Sequence, residues 1–568
     1  MAYLTHNNLL ARPIHRLWVL MFVGMLTLSA CSGSSRQTVP ESTYIPDASY
    51  YLLMAEIALQ RKTYLVAAEQ YLNAAVQGND PELAKRATEF AAEYGYESFT
   101  LSSAHRWLEL EPHNNAAHEY AGRIYLRRYD TELAYTHLTA LLGDAEPPDD
   151  EAFLILSADL AAEENTAGVT ALFKRLARQY PDSAGLQLAL ARTAMRSGDT
   201  ALVLFAADKV SDTYPDSLES QLLIAQALMA QGHEIAALEQ ISSLRGEPVS
   251  IAIELEYIRL LAASGQIEQA NKQFEDLAKI YGVQPDFVRM HALINLAAGD
   301  LDTAARDFNK LLSAGKNVYE CFYYLGRIAV LRGDERVGID YFSRVRSGAY
   351  LLQAQLAQSL VYQRLNEQQT ALDSLQAFTQ DYPRHALAVM PMRAQLLFDL
   401  GETQQALALF DELMGFRPDS VELLLAYGAM LDLTGELKQS LSSMRRAVEL
   451  APMDANTLNT LGYTLANRTR HHAEAYQLIR QALELSPDSA AIIDSMGWVL
   501  YRLGRHEEAL SYLEQAYALM DDPEVIVHLV ELLQVMGELD SARSLLDRSL
   551  LEFPDNELLF DAQARMSQ

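Results

Sequence analysis

Glycine recurs through this chain on a fixed beat: Gly198, Gly232, Gly265, Gly299 and Gly333 follow one another at 34, 33, 34 and 34 residues. Gly401, Gly435, Gly504 and Gly537 resume it, with one beat skipped near Asn366 and one near Asn467. A period this long leaves few folds open. Each unit is too short to bury a face by itself and must stack on its neighbours. A second ladder runs out of phase with the first, with prolines at 81, 112, 147/148, 181, 215, 248, 285, 383, 418, 452, 487, 523 and 554, most of them 31 to 37 residues apart. The text around them repeats as well. Tyr180-Pro181-Asp182-Ser183 returns as Tyr214-Pro215-Asp216-Ser217, with variants at Arg417-Pro418-Asp419-Ser420 and Ser486-Pro487-Asp488-Ser489. Proline stops one helix, and the Asp or Ser behind it can cap the next. Glycine supplies a left-handed turn inside the unit. Two helices per period, with one punctuator at each turn, is the simplest reading.

The segments between these turns carry a matching core pattern. A small residue comes five places after the hairpin glycine and a bulky one nine places after it. The series runs Gly265-Ala270-Phe274, Gly299-Ala304-Phe308, Gly333-Gly338-Phe342, Gly401-Ala406-Phe410, Gly504-Ala509-Leu513 and Gly537-Ala542-Leu546. The small side chain lets two helices approach, and the bulky one, a turn later, fills the face beside it. This resembles the tetratricopeptide repeat, and residues 490–523 match it best through Met496-Gly497, Gly504, Ala509, Leu513, Ala516 and Pro523. Ile493 and Leu500 depart from it, standing where the family has Trp and Tyr.

The resemblance implies an all-α, right-handed superhelical solenoid of about fifteen hairpins over residues 48–555, closed by a capping helix over 556–568. The pattern is weakest in the second, fourth, fifth and tenth hairpins, and it loosens over 287–350, where no proline marks the joins.

The beginning of the chain bears on location. Arg12 and Arg16 precede an apolar stretch from Leu17 to Leu28, which ends in Leu28-Ser29-Ala30-Cys31. The stretch is short for a membrane helix and suited to a signal peptide over residues 1–30. Its last four residues resemble a bacterial lipobox, which implies lipidation of Cys31. Ser32 follows rather than aspartate, so the resemblance points to the outer membrane, with the solenoid in the periplasm. Residues 31–47 then read as a lipidated tether of about fifteen residues, spanning at most ~50 Å when extended. Cys321, the other cysteine, has no partner once Cys31 is acylated and reads as a small buried thiol.

The formal charge is −30, or −32 once Arg12 and Arg16 leave with the signal segment. That balance argues against nucleic acid and against electrostatic binding to anionic lipid. No cofactor, metal or catalytic constellation is expected. His118-Glu119, His233-Glu234 and His506-Glu507 begin like a zinc-protease motif but have Gly122, Ala237 and Leu510 where the second histidine belongs. Ser313 and Lys316 have the Ser-x-x-Lys spacing, without the Lys-Thr-Gly motif that should accompany it. Once the hairpins are assigned, nothing is left from which to build a catalytic domain, so the chain reads as a binding protein.

The concave wall of such an array is its binding surface, lined by the first helix of each hairpin. Near the end of the chain its positions are rich: Asn459 and Tyr463, then Asp494, Trp498 and Tyr501, with Arg502 beside them. Aromatic anchors with polar handles suit a bound protein segment, although Trp498 and Tyr501 equally suit packing between hairpins. Lipobox, tether and many hairpins together resemble the outer-membrane lipoproteins of this repeat family. One of these is the adaptor of a periplasmic carboxyl-terminal processing protease that degrades cell-wall hydrolases. The alternative is an assembly factor for secretion, exopolysaccharide export or peptidoglycan synthesis.

Overall fold

The computed structural model describes residues 46–566, apart from Asp144, Glu164, residues 247–249, Val283 and Asp555. The signal segment, Cys31 and all but the last two residues of the tether lie outside the described residues. From Asp47 onward the chain is one compact unit. Its described residues form thirty-one α-helices: fifteen consecutive helix pairs, from Ala48–Gln60 with Tyr64–Gln77 to Pro523–Met536 with Leu539–Glu552, and a last helix, Glu557–Met566. All the pairs pack as hairpins except the fourth, whose Asp150–Asp159 packs on Ala184–Ser197. They contain no strand, and no described helix is long and apolar enough to cross a membrane.

Most hairpins are closed by chemistry visible in the sequence. The beat glycines take φ near +80°, Gly198 at 78° and Gly537 at 86°, where a Cβ would be strained. Asn366 takes the same role in the tenth hairpin at φ 57°, asparagine being among the few other residues that tolerate it. The beat also reaches back to the first hairpins, at Lys62 (φ 59°), Gly95 (φ 76°) and Tyr129 (φ 59°), where two of the three turns lack glycine and so escape a glycine search.

In the thirteenth hairpin the turn is longer, with Thr469 extended rather than left-handed. Its consequence is a shift of register. Gly122, Gly326, Gly428 and Gly497 each face the residue sixteen places on, whereas Gly462 faces Ile479, seventeen places on.

At the joins, the serine of the repeated Pro-Asp-Ser is the cap. Ser183 accepts from the Leu186 N–H at 3.1 Å and Ser420 from the Leu423 N–H at 3.4 Å, while Ser489 makes no such bond. Proline plays two parts. Pro181 sits between helices, but Pro81 and Pro523 open one, behind Asp80 and Asp522, which cap Glu82 and Glu524. Over 287–350, where the proline pattern loosens, four ordinary helices run, and Gly315 (φ 64°) and Gly348 (φ 87°) turn the joins that lack proline.

The core follows the small-then-bulky rule. Ala304, Ala406, Ala509 and Ala542 are fully buried, as are Phe308 and Leu513, each large side chain contributing about 1.5–3 kcal/mol by leaving water. Cys321 is buried and unpaired, and burial pushes its thiol up to about 11.

One feature of the fold has no counterpart in the repeat pattern: the chain returns on itself. Tyr96 packs on Phe416, ring centroids 5.1 Å apart, and Ser98 Oγ donates to the Phe416 carbonyl at 3.1 Å. Arg417 stands 3.5 Å from Glu97, and Leu387 joins the same apolar cluster as Tyr94 and Phe99. Nearby, Tyr129 packs against Val421, Leu424 and Ala447. The second and third hairpins are thereby held against the eleventh and twelfth.

Candidate functional site

Three first helices, Ala455–Arg468, Ala490–Arg502 and Pro523–Met536, stand side by side near the end of the array. Asn459, Asp494 and His528 occupy one phase on them, 35 and 34 residues apart. Repeat stacking therefore brings the three to one surface, and a cleft of about 570 Å³ opens there, lined by Asn459, Thr460, Tyr463, Asp494, Ser495 and Glu524 among others.

At the centre is a buried acid–imidazole pair. His528 Nδ1 lies 3.0 Å from both carboxylate oxygens of Asp494. A carboxylate can only accept, so Nδ1 is the donor. The His528 ring stacks on Trp498 at 4.1 Å, and its Nε2 is 3.5 Å from Tyr463 Oη. Tyr463 in turn donates to Glu524, reaching from the thirteenth hairpin to the fifteenth. Burial, then the Glu524 and Asp494 charges, raise the Tyr463 phenol far above its usual range, so it remains a donor.

Of the six residues expected to form the groove, Asn459, Tyr463 and Asp494 line the cleft. Trp498 is 5 % exposed and belongs to the core, so it backs the wall and holds His528 rather than offering its face. Tyr501 lies against Trp498 at 5.1 Å and donates to Glu531 at 3.3 Å. Burial and Glu531 both raise its phenol. Arg502 places its guanidinium 5.8 Å from the Trp498 ring and donates to the Asn467 carbonyl at 3.4 Å. These last three form a supporting layer.

Sequence reasoning missed His528 and Glu524. His528 could have been found by continuing the Asn459–Asp494 phase one repeat further. Glu524 could not, because it depends on how far the helices are offset.

Two features define what the cleft can hold. The Asn459 Oδ1 is buried without a hydrogen-bond partner, an acceptor left open in the wall. The charged residues lining the cleft are all acidic: Asp432 pairs with Arg468 at 2.9 Å, Asp494 with His528, Glu524 accepts from Tyr463 and Asp522 from the Glu524 N–H. The surface offers acceptors and negative charge, complementary to backbone N–H groups and to lysine or arginine side chains. Among the described residues no group of three or more His, Cys, Asp or Glu is arranged to hold a metal ion.

Known proteins place this array. Residues 353–385, 392–455, 453–522 and 500–566 each match a model of the tetratricopeptide repeat. A TPR repeat-containing protein of Pseudomonas aeruginosa is 29% identical over 493 residues, covering 86% of this chain and 83% of that one. Similar solved structures include yeast Tom70, at 16% identity and TM-score 0.39, covering 74% of this chain and 95% of that one. Another is the APC/C hetero-tetramer Cut9-Hcn1, at 14% identity and TM-score 0.35, covering 92% and 96%. Residues 353–385 and 392–566 thus carry tetratricopeptide repeats, and such repeats indicate a protein-binding scaffold.

Proposed function

We propose that this tetratricopeptide-repeat chain is a lipid-anchored adaptor, fixed to the outer membrane through Cys31, that binds a periplasmic protein through the acidic cleft of its last three hairpins. The carrying observation is the unpartnered Asn459 Oδ1 in a cleft whose charged lining is entirely acidic, a surface suited to an extended segment with basic side chains. The lipobox-like Leu28-Ser29-Ala30-Cys31 supports the anchor. A carboxyl-terminal processing protease and its cell-wall hydrolase substrates are the partners that the layout favours. Holding both on one scaffold would raise their local concentration without new chemistry.

Catalysis is not part of this reading. The His528–Asp494 pair has the form of a base and its orienting acid, but both are less than 7 % exposed and Trp498 lies over the ring. The hydroxyl nearest Nε2 is a tyrosine held protonated, not an activated nucleophile.

The test is retention of a processing protease from periplasmic extract by the immobilised chain, compared with Asn459→Ala and Glu524→Gln together. Both changes spare the core: Asn459 Oδ1 has no internal partner to lose, and glutamine still accepts from Tyr463. Loss of the protease from the double variant, at unchanged helicity, supports the cleft. Retention undiminished sinks it. Membrane fractionation of Cys31→Ala tests the anchor separately, with release from the outer membrane expected.

A further inference from the structure

The return of the chain on itself encloses a second cavity, of about 700 Å³, that shares no lining residue with the acidic cleft. One side comes from the second, third and fourth hairpins, with Tyr94, Tyr120 and Glu163 among its residues. The other comes from Arg384, Leu387, Ala388 and Arg417. Neither side makes a site alone.

Four guanidinium groups and four carboxylates line this cavity, and most of them are spent on one another. Arg123 pairs with Glu119 at 2.6 Å and with Glu163 at 3.2 Å, and Arg127 pairs with Glu163 at 2.9 Å and with Glu97 at 3.5 Å. Arg417 closes the chain of charges from the far side, 3.5 Å from Glu97. What the network leaves over is specific. Arg384 has no carboxylate within ion-pair distance, and Glu89 has no cation, among the described residues. The Nε of Arg123 is buried and makes no hydrogen bond, whereas the Nε of Arg417 is the atom that faces Glu97. A buried donor without an acceptor is costly, and one in the lining of a cavity that also holds the unpaired Arg384 marks a place for an incoming acceptor.

We propose that this cavity binds a short zwitterionic peptide, its terminal carboxylate received by Arg384 with the spare N–H of Arg123, and its cationic group by Glu89. The volume lies within the range that encloses a drug-sized ligand, here a peptide of about four residues. The balance of charge favours a zwitterion: the lining carries four guanidinium groups and four carboxylates, and the two left unpaired are one cation, Arg384, and one anion, Glu89. A bound peptide touches both sides, so by linkage it holds the second and third hairpins to the eleventh and twelfth.

Equilibrium dialysis of the purified full chain against a randomised tetrapeptide library with free carboxyl termini tests this. The same library amidated, and inorganic phosphate, serve as comparisons. Retention of free-acid peptides, about tenfold or more weaker as amides and weaker by a similar factor in Arg384→Gln, is the expected result, the factor being that of one charge-assisted contact. Glu89→Gln should discriminate against lysine-bearing members. Arg384 and Glu89 are exposed and unpaired, so neither change disturbs the fold, which circular dichroism verifies. Hydrogen exchange around Tyr96 and Phe416 should slow when peptide is bound. Equal retention of acids and amides, no retention at all, indifference to Arg384→Gln, or full displacement of peptide by phosphate would each overturn the proposal.

Discussion

Gly497 shows how little room a hairpin leaves between its helices. A Cβ at this position would lie 2.6 Å from Leu513 Cγ, well inside contact distance, and 3.1 Å from the Leu513 backbone nitrogen. Overpacking of this kind costs about 1–3 kcal/mol, and the better helix propensity of alanine returns less than about 1. Gly497→Ala is therefore expected to destabilise the chain by about 1–2 kcal/mol in urea unfolding. The loss should be local to the fourteenth hairpin and its neighbours, because repeats couple only to what they touch. Uniform loss of hydrogen-exchange protection along the whole chain would contradict that picture. Gly497 lies beside Trp498, and a shift of this helix moves the ring that holds His528.

The third hairpin is an element with a pH dependence of its own. His137, on Thr131–Thr139, packs its ring against His105 and His118 of the two preceding first and second helices, and the two Nδ1 atoms of His118 and His137 stand 3.0 Å apart. Burial, then the neighbouring His118 and His105, lower His137 from 6.5 to about 4. A depressed basic group takes up its proton in the unfolded chain before the folded one. The unfolded form is thus favoured as pH falls from about 6.5 to about 4, and the stability is fully present above 6.5. Thermal unfolding is expected to shift downward over that window, and His137→Gln should flatten the dependence. A slope unchanged in the variant would place the titration elsewhere.

At the scale of the whole molecule, the contact between Tyr96 and Phe416 is the decisive one. Phe416→Ala should remove about 3 kcal/mol from it, at the lower end for a large-to-small change in a core, because Phe416 keeps 9 % exposure. Amide exchange around Tyr96 should quicken while the helix Ala490–Arg502 stays protected. Alkali offers a second handle. Burial, with smaller help from Tyr94, Glu412 and Tyr64, raises the Tyr96 phenol from 10.0 to about 12. A raised acid binds its proton more tightly in the closed form, so the contact is at full strength below about 10 and is lost as pH rises through about 12. Tyrosinate absorbance should appear together with faster exchange at Phe416, and Tyr96→Phe should uncouple them.

The hairpin count, the turns marked by glycine and the phase that gathers Asn459 and Asp494 were legible in the one-dimensional pattern, whereas the turns at Lys62 and Tyr129 were not. Each legible feature rests on contacts between residues less than about two periods apart, and local spacing determines these through helix periodicity and turn chemistry. Trp498 was legible as important but not in its role, because whether a side chain faces the cleft or backs it depends on a few degrees of helix rotation. The return contact was not legible at all. Tyr96 and Phe416 stand 320 residues apart, and bringing them together sums small rotations over the intervening hairpins, no one of which is encoded in any single repeat. By itself, then, the sequence determined what each hairpin is and which neighbours it stacks on. Only the tertiary structure decided that the array closes on itself, because closure is a property of the accumulated twist and of no local pattern.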